Sequence, residues 1–195
     1  MGVMGSAGSL VIQFVFGLLM FVVLLRLLMQ AFRAPFHHPA SQSIFKLTNP
    51  LFMPLQKVLP VVRGWHLGGL LVLWLLATIE GWLMLLLGGG SVAPMALLVF
   101  GLGLMLDFVF MTLFWLVLVR VLVSWLAPGS RSAPMDILNF VTKPLLAPFK
   151  RYIPPIGPFD ISPMVLLLLI QIARIVIPGP LMALALSMSL PVAVG

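Results

Sequence analysis

Four stretches of this chain are nearly free of charge and long enough to cross a lipid bilayer: Leu10 to Phe32, Leu67 to Leu87, Met95 to Leu126 and Ile161 to Ile177. At about 1.5 Å of rise per helical residue, about 20 apolar residues match a hydrocarbon core of about 30 Å. Of the 195 residues, 62% are hydrophobic and 8% charged. A soluble domain carries roughly a quarter of its residues as charges, so this chain cannot clothe itself in polar groups. It reads as an all-α integral membrane protein with four transmembrane helices. The third run exceeds one core thickness, so it either tilts or breaks near Gly101–Gly103. Beyond "PGP" at Pro178 lies an apolar tail from Leu181 to Val194, which either prolongs the fourth helix past a kink or lies in the interface.

Charge sets an expected orientation. Eleven Lys and Arg stand against four Asp and Glu, a net charge of +7. Most of the basic residues fall between runs one and two (Arg33, Lys46, Lys57, Arg63) and between runs three and four (Arg131, Lys143, Lys150, Arg151). The positive-inside rule places both segments in the cytoplasm of a bacterial inner membrane, with both termini on the outer side. Basic residues confined to such loops face anionic headgroups, so the bilayer is the expected partner and nucleic acid is not. With no Cys, disulfides and thiolate chemistry are excluded. The N-terminus lacks the basic region of a cleaved signal, and Gly2 with Ser6 makes only a weak myristoylation match.

The chain also repeats itself. Adding 94 to a position carries Arg26 onto Arg120, Thr48 onto Thr142, and Pro50, Pro54 and Pro60 onto Pro144, Pro148 and Pro154. Lys57 falls on Arg151 and Phe52 on Leu146. The expected architecture is two parallel repeats, 1–90 and 91–195, each a helix, a cytoplasmic Pro-rich interfacial segment and a second helix. A pseudo-twofold axis would run along the membrane normal. Proline is tolerated in the first turn of a helix but not in its interior. Thr48 or Asn49 is therefore expected to cap a short helix entered at Pro50 and closed by Pro60, and Thr142 to do the same before Pro144. Such a segment presents an apolar side to acyl chains and a basic end, Lys57 or Lys150 with Arg151, to headgroups. It is either a corner that turns the chain or a docking surface for a membrane-protein partner.

The segments "LTNPLFMPLQKVLP" and "VTKPLLAPFKRYIPPIGPFDISPMVLLLL", with "VVLLRLLMQ" and "LVLVRVLVSWL" before them, resemble the two repeats of the YggT (YlmG-like) family of small membrane proteins. The likeness runs roughly from Val11 to Ile177. It implies an association with cell-envelope homeostasis, osmotic tolerance, or division and chromosome distribution. A chloroplast branch of the family looks like an assembly factor for haem attachment. The second repeat ends in Asp160 and Ser162, where the first has His66 and Gly68. A function resting on both repeat-end aspartates is therefore not expected, and a one-sided function in the second repeat is favoured.

Five charges fall inside the apolar runs. Arg26 and Arg120 lie near the inner ends of theirs, and either snorkel to headgroups or hold the loops through carbonyls released by the prolines. Glu80 and Arg174 are related by the same offset and are expected to pair between the halves, with Asp107 able to join. That set would be a polar pin, or else part of an ion or proton path. His37 and His38 point to opposite sides of an extended loop and, with His66 distant, make no metal site. No nucleophile lies beside a base and no carboxylates are paired for catalysis, so the chain is read as a non-enzymatic assembly or scaffold factor without cofactor. The rival reading is a small channel or transporter. Homo-oligomerisation is left open.

Overall fold

The computed structural model describes residues 3–33, 39–56, 59–62, 64–90, 92–127, 132–153 and 160–189. Among these, seven helices carry the chain: α1 (Val3–Ala31), α2 (Pro39–Gln56), α3 (Leu67–Leu87), α4 (Pro94–Leu126), α5 (Ala133–Tyr152), α6 (Ser162–Val176) and α7 (Pro178–Ser189). Four helical stretches are long and apolar enough to cross a membrane: Ser6–Ala31, Leu67–Leu87, Pro94–Leu126 and Ser162–Ser189. Arg63 and Lys57, together with Pro154, His37 and His38, lie outside the described residues.

The third apolar run is one unbroken helix of 33 residues, about 50 Å long. Its glycines serve packing instead of a break. A Cβ on Gly101 would stand 2.0 Å from Thr78 Oγ1 on α3, and one on Gly103 would stand 2.8 Å from Met182 Cγ on α7. Small residues let helix backbones approach where lipid offers no hydrophobic drive for association. The α4 helix thus packs on α3 and on α6 and α7. The tail beyond Pro178 is helical as far as Ser189 and covers Gly103.

Two expectations need correction. The chain is not purely helical, because Val61–Val62 pairs antiparallel with Trp65–His66 just before α3. The turn includes Gly64 at φ +89, a left-handed backbone that glycine adopts without steric cost. Nor do Thr48 and Thr142 cap helices. Both lie well inside α2 and α5, with Pro50, Pro54, Pro144 and Pro148 in the helical run. Pro50, Pro144 and Pro148 are exposed, so these three rings lie on the outer faces of their helices.

A buried core forms where α1 meets α2 and α3, with Leu24, Leu27, Met29, Phe52 and Leu73 among its members and Val141 of α5 reaching into it. A smaller cluster joins Val117 of α4, Leu146 of α5, and Leu166 and Ile170 of α6.

Candidate functional site: two arginine pins at one end of the bundle

The ends of α1 and α4 carry the same device. Arg26 Nη1 donates to Thr48 Oγ1 at 2.7 Å, to Asn49 Oδ1 at 2.9 Å and to the Phe45 carbonyl at 3.2 Å. Thr48 in turn donates to the Ile44 carbonyl at 2.7 Å, one turn back. The Phe52 ring lies 4.1 Å from the guanidinium carbon and the Phe45 ring 5.0 Å. Arg26 is 3% exposed, so it does not snorkel. It is sealed against α2 by hydrogen bonds and two aromatic faces, which suit a cation. The carbonyl it reaches is that of Phe45, not that of Lys46, the one Pro50 leaves without its backbone donor.

In the second half, Arg120 Nη1 donates to Thr142 Oγ1 at 2.7 Å, and Thr142 donates to the Leu138 carbonyl at 2.5 Å. The threonines are buried in both halves, yet the surroundings of the arginines differ. Asn49 is matched by Lys143 and Phe52 by Leu146. Neither replacement accepts a hydrogen bond or offers a π face. Arg120 is accordingly half-buried and lines a small pocket with Ser124, Trp125, Leu146, Lys150 and Asp160.

Asp160 and Ser162 join this cluster. Lys150 Nζ stands 2.7 Å from Asp160 Oδ2, the Ser162 amide donates to Asp160 Oδ1 at 3.0 Å, and Ser162 Oγ donates to the Ile153 carbonyl at 3.4 Å. The Lys150 bond, helped by Ser162 and opposed by burial, holds the Asp160 carboxyl below its ordinary range. The first half has His66 at this place. Burial and then the charge of Arg26 push its imidazole down, so it stays neutral beside the buried guanidinium.

Arg151 and Tyr152 are exposed at the end of α5, with Lys143, Pro144 and Pro148 exposed on the preceding turns. Pro60 is exposed beyond the end of α2.

The mid-span charges pair differently from the expectation. Arg174 meets Asp107, with Nε to Oδ1 at 2.6 Å and Nη2 to Oδ2 at 3.1 Å. Glu80 does not pair with Arg174. The α4 helix packs against both α3 and α6 and so brings its own carboxylate to Arg174 first. Glu80 lies instead along a cavity of about 250 Å³ with Gln13 and Asp107.

Sequence reasoning passed over Phe45 and Phe52 as partners of Arg26. Residues 45, 48, 49 and 52 share one helical face at the i, i+3, i+4, i+7 spacing, a signal legible only if Pro50 is allowed inside a helix.

The chain matches the CCB3/YggT family over residues 6–87 and over residues 99–181. It belongs to that family. An uncharacterized protein of Vibrio alginolyticus, from the region 3′ of proC, is 36% identical over 168 residues, covering 85% of this chain and 90% of that one. An uncharacterized Pseudomonas aeruginosa protein is 30% identical over 182 residues, 92% of each. The Escherichia coli K12 protein YggT, also described as uncharacterized, is 34% identical over 151 residues, 77% of this chain and 78% of that one. No solved structure matches the chain. Both stretches of the family match contain an Arg–Thr pin, so the pins belong to the part of this YggT-family chain that carries the likeness.

Proposed function

We propose that this YggT-family chain is a non-enzymatic membrane scaffold, which presents α2 and α5 as two docking surfaces for another membrane protein. In this reading an ancestral two-helix unit was duplicated. Its copies stand in parallel about an axis along the membrane normal, with α2 and α5 in the cytoplasmic interface of a bacterial inner membrane. The assembly served would belong to the cell envelope, with osmotic tolerance or division as its cellular readout.

One observation carries the reading. The same Arg–Thr bond, at 2.7 Å in both halves, fixes the inner face of each amphipathic helix to the preceding span. The outer faces are thereby held in a fixed orientation: Lys46, Leu47, Pro50 and Met53 on α2, and Lys143, Pro144, Lys150 and Tyr152 on α5 are exposed. A mere corner needs no such anchoring. A pre-organised surface does, because rigidity lowers the ordering cost of binding.

The test is affinity purification from native membranes in mild detergent with quantitative mass spectrometry, wild type against the chain in which Lys150 and Arg151 are neutralised together. A stoichiometric partner lost in the variant supports the reading. If the double variant keeps every partner and leaves the cellular phenotype intact, the reading is wrong.

A second reading, a small ion path, is favoured by the shared cavity of Gln13, Glu80 and Asp107. Against it, Asp107 is engaged by Arg174, which leaves Glu80 as the carboxylate available to a permeating ion. Under this reading Glu80→Gln changes ion flux in vesicles while the protein still folds.

A further inference from the structure

The two halves have diverged at one place in a concerted way. In the first, Arg26 is closed off by Asn49, by the Phe45 carbonyl and by the Phe52 ring, which is itself fully buried. In the second, the matching positions hold Lys143, Asn139 and Leu146. The position matching Gln56 holds Lys150, that matching Gln30 holds Ser124, and that matching Ala31 holds Trp125. The Asn49 acceptor and the Phe52 ring are gone, and the donors Lys143, Lys150 and Ser124 stand at positions 49, 56 and 30 of the first half.

The result is a pocket of about 90 Å³, lined by Arg120, Ser124, Trp125, Lys150 and Asp160 over an apolar floor that includes Leu146. Arg120 spends one nitrogen on Thr142. Among the described residues its Nε and Nη2 meet no acceptor. The one carboxylate of the pocket is already held on both oxygens, by Lys150 and by the Ser162 amide. Two cations therefore face a single, engaged anion. A guanidinium fork, an ammonium and a hydroxyl converging on a small cavity are the groups that recognise a phosphate.

We propose that this pocket binds the phosphate of a membrane phospholipid, as a discrete site in the second half alone. The source is a lipid because of where the pocket opens. Trp125 on its rim is 67% exposed and the adjacent Leu126 is 83% exposed, at the end of a spanning helix. An indole belongs at the headgroup level with its apolar neighbours toward the acyl chains. The site is independent of the scaffold reading, since its readout needs no protein partner.

The experiment uses the full-length chain, purified in an uncharged detergent and titrated with phosphatidylglycerol under native mass spectrometry. Inorganic phosphate serves as competitor and diacylglycerol as the phosphate-free control. Wild type is expected to retain one phosphatidylglycerol and no diacylglycerol. Arg120→Gln and Lys150→Gln weaken retention at least tenfold, while Lys46→Gln, an exposed lysine on α2, leaves it unchanged. Because Arg120→Gln could disturb folding, the decisive variant is Lys143→Asn with Leu146→Phe. It installs in the second half the sealing residues that the first half already folds around. Loss of lipid from that variant, with helicity retained, supports the site. Equal lipid binding by the sealed variant and the wild type overturns the proposal. So does equal weakening by Lys46→Gln, which would mean bulk charge. Inorganic phosphate that binds as tightly as the lipid overturns the assignment to a lipid.

Discussion

Thr48→Val and Thr142→Val form a matched pair of perturbations whose difference isolates the environment of the arginine. The substitution is nearly isosteric. In both halves it removes a buried hydroxyl that accepts from an arginine at 2.7 Å and donates to a carbonyl one turn back. The carbonyl loses only a second donor, at similar cost on each side, and this largely cancels. What differs is the fate of the guanidinium. Arg26 is 3% exposed, so no water replaces the lost acceptor. A hydrogen bond to a charged group is worth about 1.5–3 kcal/mol. Since Asn49 and Phe45 still accept from the same nitrogen, the lower part of that range applies, about 2 kcal/mol. Arg120 lines an open pocket where water or a headgroup substitutes, so Thr142→Val costs about half as much or less. The assay is reversible unfolding in mixed micelles, followed by circular dichroism as the fraction of denaturing detergent rises. Thr48→Val should shift the unfolding constant by about thirtyfold at 1.4 kcal/mol per factor of ten, and Thr142→Val by at most about fivefold. Equal shifts, or a Thr48→Val shift below about twofold, would refute the claim that burial distinguishes the two pins.

Other expectations follow from the same geometry. Asp107→Leu and Arg174→Leu should each destabilise the fold more than the double variant, because either change alone strands its partner's charge within the span; a thermal-stability cycle in detergent reads the coupling, and simple additivity would show the pair to be inert. Gly101→Ala should cost about 1–3 kcal/mol through overpacking against Thr78, whereas Gly17→Ala, which meets nothing within 4 Å, should be neutral or stabilising by the same measurement. Asp160 has a depressed carboxyl, so its contribution to stability is complete above the ordinary carboxylate range and is lost as pH falls through the lowered value. Lys150→Met should raise the pH at which that loss occurs, and an unchanged acid profile would show that the Lys150 bond does not hold the carboxylate.

Much of this fold was legible in the chain. The second apolar run and α3 coincide from Leu67 to Leu87, because "GGGS" ends the helix and Glu80 is the only charge in the run. The offset of 94 foretold that Arg26 and Arg120 would share a role, and both arginines do hold a threonine. The nature of that hold was not legible. An interior proline costs a helix least when its ring faces outward, as at Pro50, Pro144 and Pro148, and sequence does not say which face of α2 is outward. Pairing of Glu80 with Arg174 failed for a related reason. A repeat offset speaks to depth along a span, not to which neighbour a side chain turns toward, and α4 with Asp107 proved the nearer neighbour. The hairpin before α3 was missed because two-residue strands leave almost no periodicity. The pocket beside Arg120 was hidden because its meaning lies in departures from the repeat, at residues 143, 146 and 150, not in its agreement.

The Asp107–Arg174 bridge joins residues 67 positions apart, and the chain is made in order. Asp107 enters the bilayer in the third span, while its partner is still unmade. At about 5–20 residues per second, the carboxylate waits roughly 3–13 s for the guanidinium. During that interval a charge that costs about 2.5–3.5 kcal/mol at mid-span has no counter-ion. The cost of that charge in the third span is therefore offset only once α6, which carries Arg174, has been made. A chain that stops before Arg174 keeps the Asp107 carboxylate without the guanidinium that engages both its oxygens in the complete fold.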